Sequence, residues 1–460
     1  MRVNIDFPEE PAGQEAPAST EKRRPGWQAP FFAIWTGQAF SLLGSQLVQF
    51  ALIWWLTEKT GSGTVLATAS LVGLLPQVVL GPLTGALVDR WDRRRVMIAA
   101  DSVIALATLM LAFLFYRGAA EIWHIYLLMF IRSAAGGFHW PAMQASTSLM
   151  IPKEHLARIQ GFNQLLSGGM NIIAAPLGAL LLTLLPMQGV LGVDIFTALL
   201  AILPLFFIPI PQPERSLPQE GAVEGRTSVW MDMRAGLRYV ASWPGLVIIL
   251  LMAMLINFTL NPGFVLLPLL VTDHFQGQSW HFATLQSLSG IGMITGGLAL
   301  GVWGGFKRRM FTSLAGLIAL GAGVLLIGLA PAWAFWLAAG AMLLTGLSMP
   351  IVNGPLLASV QAAVHPEMQG RVFTLIQSGS SAMMPLGMII AGPVADTFGV
   401  QAWYVAGGLV TLLMGLAGFF IPAVTHFEEG GRAPASQAAP GSPNLEEAEL
   451  KAGLEPTPGD

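Results

Sequence analysis

Four ionisable residues lie inside long apolar runs of this chain: Asp101, Arg132, His139 and Asp194. A charge held in hydrocarbon is expensive, so such residues turn toward a partner or a water-filled cavity and are suspects for ion and proton pathways. Arg132 stands ten residues into the run Ile122–Met150. At ~1.5 Å per residue that is about 15 Å down a helix, near the middle of a bilayer. His139 follows seven residues later, on the same helical face and about two turns deeper. Histidine titrates near pH ~6.5 and suits a proton site, with a packed and satisfied histidine as the competing reading. Arginine keeps its proton. The expected role of Arg132 is therefore to tune a titrating partner by its charge. Asp101, about one and a half turns beyond Arg93–Arg95, is expected to brace those arginines or a neighbouring helix. Asp194 is placed close to the far surface.

No catalytic chemistry is legible. The chain has no phosphate-cradling loop with its lysine, so it does not drive work by its own ATP hydrolysis. The seven histidines form no ligand pair at helical spacing, and zero cysteines remove thiolate metal sites, disulfides and thiol nucleophiles. No enzyme activity, cofactor, metal or nucleic-acid partner is expected.

The elements that must position these residues are membrane spans. At 54% hydrophobic and 11% charged residues the chain is too apolar for a soluble globular protein. Roughly 20 apolar residues cross a bilayer, and twelve runs are long enough. Six form an N-terminal group: Phe31–Leu56, Val65–Val88, Val96–Tyr116, Ile122–Met150, Ile159–Leu185 and Gln188–Ile208. Six form a C-terminal group: Leu246–Leu270, Phe282–Trp303, Met310–Ala330, Ala332–Val364, Val372–Val394 and Phe398–Ile421. Within those limits the C-terminal six carry no Asp, Glu, Lys or Arg. The first run is expected to serve as its own insertion signal.

Charge sets the orientation. Of 23 Lys and Arg, Lys59 and Arg117 alone fall on one side, Arg132 lies within a span, and the other twenty fall on the opposite side. The basic side is cytoplasmic, which places both termini in the cytoplasm. The expected division is a disordered cytoplasmic tail over 1–30, a six-helix bundle over 31–208, a cytoplasmic linker over 209–245, a second bundle over 246–425 and a disordered tail over 426–460. The linker opens with Pro209, Pro211, Pro213 and Pro218, then reads as an amphipathic helix from Ser228 to Ala241. Its stripe of Trp230, Met233, Leu237 and Val240, flanked by Arg234 and Arg238, suits the headgroup layer of a membrane.

The two groups repeat with a lag of about 214 residues. Pro152, Arg158, Gln164, Pro176 and Gly178 in the first correspond to Pro366, Arg371, Gln377, Pro385 and Gly387 in the second, and Pro141 corresponds to Pro355. Parallel repeats about an axis along the membrane normal are a transporter architecture.

Between the second and third runs, Gly85–Arg95 reads GALVDRWDRRR. Gly85, Asp89, Arg90, Arg93 and Arg94 at this spacing resemble the signature loop between helices 2 and 3 of the major facilitator superfamily, with Asp92 where the family usually has a second glycine. Arg132 with Gly136 resembles the helix-4 motif associated there with proton coupling. Ala175-Pro176-Leu-Gly178 resembles a reduced form of an exporter motif in helix 5. The stretch Val193-Asp194-Ile-Phe196 and the linker end Gly236-Leu-Arg-Tyr-Val240 with Trp243-Pro244 are most similar to the macrolide-efflux branch of drug:proton antiporters. The resemblance implies an all-α integral membrane fold of twelve helices in two pseudo-twofold bundles. It implies that the loop acts as a conformational gate, and that helices 3 and 6 support the bundle rather than line the cavity, which lowers the standing of Asp101 and Asp194 as proton sites.

Neutral polar and aromatic residues within the spans are the cavity candidates: Gln38, Gln46, Trp54, Trp140, Gln164, Asn257, Asn261, Asn353 and Gln377, with Gln49 and Gln286 also in the set of polar span residues. An apolar cavity with few polar anchors suits a lipophilic ligand. The expectation is a monomeric exporter in a bacterial plasma membrane, exchanging a lipophilic small molecule for protons and contacting membrane lipid. A siderophore or lysolipid carrier of the same fold is the alternative, and a non-transporting receptor lacks the external domain it would need.

Overall fold

The structure is a computed structural model and describes residues 26–88, 91–210 and 229–428. Residues 1–25 and 429–460 of the tails, 211–228 of the linker, and Asp89 and Arg90 lie outside the described residues.

In hydrocarbon every backbone amide must bond within its own segment, so apolar runs of this length become helices. The N-terminal group is α1 (Gln28–Thr60), α2 (Gly63–Val88), α3 (Arg93–Tyr116), α4 (Ile122–Met150), α5 (Leu156–Leu184) and α6 (Met187–Phe207). A short helix, α7 (Val229–Ala241), precedes α8 (Pro244–Leu269), α9 (Ser279–Trp303), α10 (Arg309–Leu329), α11 (Phe335–Ala363), α12 (Pro366–Phe398) and α13 (Val400–Phe420). A last turn, α14, spans Pro422–Thr425. Ten of the long helices are sufficient in length and apolarity to cross a bilayer; α2 and α4 complete the two sets of six. The connections are short. Gly61 (φ 56°) and Gly304 (φ 76°) end α1 and α9 in the left-handed conformation that a glycine adopts without strain.

The helix pairing repeats between the halves. Within the first, α1 packs on α5 and α6, α3 on α4 and α6, and α2 on α4. Within the second, α8 packs on α12 and α13, α10 on α11 and α13, and α9 on α11. Shifting each first-half helix to its counterpart reproduces every one of those pairs. The halves meet along α5 with α9 and along α2 with α12, two seams that the same operation exchanges. This is the pseudo-twofold arrangement expected from the sequence repeat.

Two boundaries differ from expectation in a way that matters. The run Val372–Val394 belongs to a longer helix, α12, which continues to Phe398 until Gly399 (φ 84°) stops it. The helix therefore includes Asp396, which lies beyond the apolar window. Asp92, the residue that replaces a glycine of the signature, is the N-cap of α3: its side chain accepts from the Arg95 amide at 3.1 Å.

Candidate functional site

The four intramembrane ionisable residues form two pairs in the interior of the first half. Asp194 on α6 is buried, and its Oδ2 lies 2.5 Å from Arg132 Nη1 on α4. Thr108 on α3 accepts from Arg132 Nη1 at 3.1 Å and donates to Asp194 Oδ2 at 3.3 Å, while Ser45 on α1 donates to Asp194 Oδ1 at 3.3 Å. Gly44 makes the space: a Cβ there would fall on Thr197 Oγ1 and 3.2 Å from Asp194 Oδ1. Seven residues along α4 a second pair forms. His139 Nε2 lies 3.4 Å from Asp101 Oδ1 on α3, and Gln38 Nε2 on α1 donates to Asp101 Oδ2 at 3.2 Å. All three of these side chains are buried.

The two pairs differ in kind. Arg132 keeps its charge at any working pH and faces Asp194 across 2.5 Å. The second pair sets the His139 imidazole against the Asp101 carboxyl group, both buried.

Of the two roles expected for Asp101, a brace for Arg93–Arg95 or for a neighbouring helix, its contacts fit the second. Asp101 turns toward Gln38 and His139. The loop arginines find backbone partners within their own half: Arg93 Nη1 donates to Ala145 O at 3.1 Å on α4, and Arg94 donates to Leu205 O and Phe206 O at the C-terminus of α6. Arg94 thereby meets the carbonyls and negative dipole end that a helix C-terminus presents. Gly85 lies in the last turn of α2.

Between the halves lies a cavity of about 400 Å³. The first half contributes Gln49, Ile53 and Ser70; the second contributes Asn261, Phe264, Phe282, Gln286, Ser289, Met293, Met342 and Met384 among others. Among the described residues its lining contains no ionisable side chain. Asn261 Nδ2 donates to Asn257 Oδ1 at 2.8 Å, and Asn257 Nδ2 donates to Ala253 O at 2.9 Å. That leaves the Asn261 carbonyl oxygen as an acceptor at the cavity wall. One end is closed by rings that cross between the halves: Phe50 stacks on Phe282 at 4.9 Å and 16°, with Trp54 stacked on the same ring at 6.1 Å.

The cavity candidates divide accordingly. Asn261 lines it directly and Asn257 supports Asn261. Gln38 does not line it, because its amide is spent on buried Asp101; Trp54 is buried in the aromatic plug. Gln46 and Gln377 are exposed and share helical faces with the lining residues Gln49, Ile53 and Met384. Asn353 is exposed on the face of α11 that carries Met342, its amide bonded to Met349 O. Trp140 and Gln164 are exposed and belong to no part of the cavity wall. Gln49 and Gln286, two of the polar span residues, both line the cavity, whereas Phe282 and Met384 carry no signal in the sequence until the two halves are brought together.

A pseudo-twofold pair of six-helix bundles with a cavity on the axis and paired charges buried inside one bundle defines a membrane transporter, not an enzyme. The model of the Major Facilitator Superfamily matches residues 34–388, and the chain belongs to that superfamily. It is 33% identical over 390 residues to "Macrolide efflux protein A" of Streptococcus pyogenes, covering 85% of this chain and 95% of that protein. It is 27% identical over 404 residues to "Multidrug efflux pump Tap" of Mycolicibacterium fortuitum, covering 84% of this chain and 94% of that one. Among solved structures, a "Bacterial Homolog to Human Lysosomal Transporter, Spinster" shares the fold with a TM-score of 0.64 at 14% identity, covering 90% of this chain and all of that one.

Proposed function

We propose that this protein exports lipophilic, uncharged or weakly charged small molecules of macrolide-like chemistry across a bacterial plasma membrane in exchange for protons. It does so as a monomer by alternating access, with both termini in the cytoplasm. The observation that carries the substrate class is the cavity lining: aromatic rings, methionines and neutral amides, with no acid or base to hold a full charge. A permanently cationic ligand placed there would be desolvated without compensation. The names of the efflux relatives point the same way. A siderophore or lysolipid cargo remains the competing reading for a cavity of this chemistry.

With the basic side taken as cytoplasmic, the aromatic plug and the α1–α2 connection face outward, and we read the plugged end as the closed outer gate. Substrate enters from the cytoplasm or inner leaflet, and the bundles then rock about the cavity. Proton exchange is assigned to the His139–Asp101 pair, with Arg132 on α4 and Asp194 on α6 as a fixed ion pair beside it.

The test is uptake of a radiolabelled macrolide into everted membrane vesicles energised by respiration. Accumulation above vector-control vesicles, abolished by an uncoupler, is the expected result. Macrolide accumulation equal to that of control vesicles would remove the substrate assignment, and accumulation insensitive to the uncoupler would remove the proton.

A further inference from the structure

Asp396 lies in the last turn of α12, where an acid is poorly placed with respect to its own helix, because the carbonyl end of a helix carries partial negative charge. Its carboxylate crosses to the other half. Oδ1 accepts from the Gly63 amide at 2.6 Å; Oδ2 accepts from the Thr64 amide at 3.1 Å and from the Ser62 hydroxyl at 3.0 Å. Gly63 and Thr64 open α2, so their amides are among the donors that a helix leaves without an internal acceptor. The next amide, Val65, is taken locally by Ser62 Oγ at 3.4 Å. Two of the first amides of a helix in one half are thus satisfied by a side chain from the other.

The surrounding contact is backbone on backbone. A Cβ on Gly392 would come within 2.9 Å of Thr64 Cα, and one on Gly63 within 2.9 Å of Ala395 Cβ and 3.1 Å of Gly392 O. The order Gly392-Pro-Val-Ala-Asp396 at the end of α12 matches, in sequence, Gly85-Ala-Leu-Val-Asp89. Helices α2 and α12 run side by side across the seam between the halves.

We propose that Asp396 is the outer latch of the transporter: a carboxylate that caps α2 in trans and holds the halves together while the protein is open to the cytoplasm. Outward opening separates α12 from the start of α2, so it breaks three hydrogen bonds to one charged group at once. The latch makes the cytoplasm-open state the resting state, and its rupture becomes part of the barrier to export. Hydrogen bonds to an ionised acceptor are the stronger class, and losing them shifts the balance of the two states by about tenfold. The inference rests on the alternating-access reading but not on the identity of the substrate.

The cysteine-free chain permits spin labels at Ala119→Cys and Trp333→Cys, on outer loops of opposite halves and both exposed. Pulsed electron paramagnetic resonance in lipid nanodiscs, without substrate, reads the populations of short and long label distances. Asp396→Ala is expected to raise the long-to-short ratio about tenfold. Asp396→Asn should fall between it and the parent, because an amide oxygen still accepts from helix amides but carries no charge. Ser62→Ala, which removes one donor, should give a smaller rise. A distance distribution in Asp396→Ala that matches the parent overturns the latch, and if that variant does not fold, a parental distribution in Asp396→Asn does so. A macrolide-dependent change in the parent labelled pair reports separately on alternating access, so failure of the transport reading is told apart from failure of the latch.

Discussion

Arg132 and Asp194 face each other at 2.5 Å across α4 and α6, with side chains 11% and 2% exposed. Neither charge is stable there alone. Removing one partner of a buried pair strands the other and costs about 3–5 kcal/mol, whereas replacing both is often near neutral. Arg132→Gln and Asp194→Asn are therefore each expected to lower the thermal midpoint and the membrane yield sharply. The double variant should recover most of both. Fluorescence-detected thermal melting in detergent checks this, and a double variant no better than the worse single would show that the pair does not act as a unit.

Glycine spacing makes a second prediction. Gly292 and Gly296, like Gly297 and Gly301, stand four residues apart on α9, a spacing that permits close helix contact. The structure separates them. A Cβ on Gly292 or Gly296 would collide with the backbone of α11 at Leu343 and Leu347, and one on Gly346 with the backbone of Ser289 on α9, whereas Gly297 and Gly301 face open space. Gly292→Val and Gly346→Val should abolish folded protein, measured as the monodisperse fraction on size-exclusion chromatography. Gly297→Val should leave it at the parental level.

These glycines also show where sequence reading stops. Apolar runs and the repeat made the helices legible, because both are imposed residue by residue by the bilayer. The spacing of Arg132 and His139 on one face of α4 was likewise visible. Their partners were not, since nothing in the sequence says that α3 and α6 present Asp101 and Asp194 to that face rather than to lipid. Asp396 was missed for a simpler reason: a polar residue ended the apolar window at Val394, while the helix runs on to Gly399. That glycine was the available signal. Gln38, read as a cavity residue, is consumed by Asp101, because a buried carboxylate draws any amide within reach.

Orientation is tested directly. The basic bias places the connection between α7 and α8 in the cytoplasm and the connection between α3 and α4 outside. Single cysteines at Ser242 and Ala119, both exposed, should react oppositely with a membrane-impermeant maleimide in intact cells. Ala119→Cys is expected to label and Ser242→Cys to label only after permeabilisation. The reverse pattern would invert the direction of transport argued above.

The cavity wall makes its own prediction. Gln49 and Gln286 come from opposite halves, and Asn261 lines the same cavity. Loss of one neutral hydrogen bond is worth about 1 kcal/mol, or roughly fivefold in affinity. Gln286→Ala and Asn261→Ala should each weaken macrolide binding by about that factor in a tritium-displacement assay. Gln38→Ala, outside the wall, should leave binding affinity at the parental value while perturbing Asp101. Equal losses in all three would indicate a structural effect instead of contact with the ligand.

Proton coupling gives the last prediction, and here the geometry alters the expectation for Asp101. Read from sequence, Asp101 belongs to the scaffold and its neutralisation should harm expression. In the structure its carboxylate lies 3.4 Å from His139 Nε2, which makes Asp101 part of the proposed proton site. His139→Gln and Asp101→Asn are both expected to abolish accumulation of macrolide driven by an imposed pH gradient in proteoliposomes, by more than tenfold. Both should leave exchange of labelled for unlabelled substrate measurable, because that half-reaction needs no net proton movement. Purified yield and melting temperature serve as the controls for folding. The pattern to look for is the loss of gradient dependence without the loss of exchange. If gradient-driven accumulation persists in both variants at the parental level, the exchangeable proton does not reside on this pair.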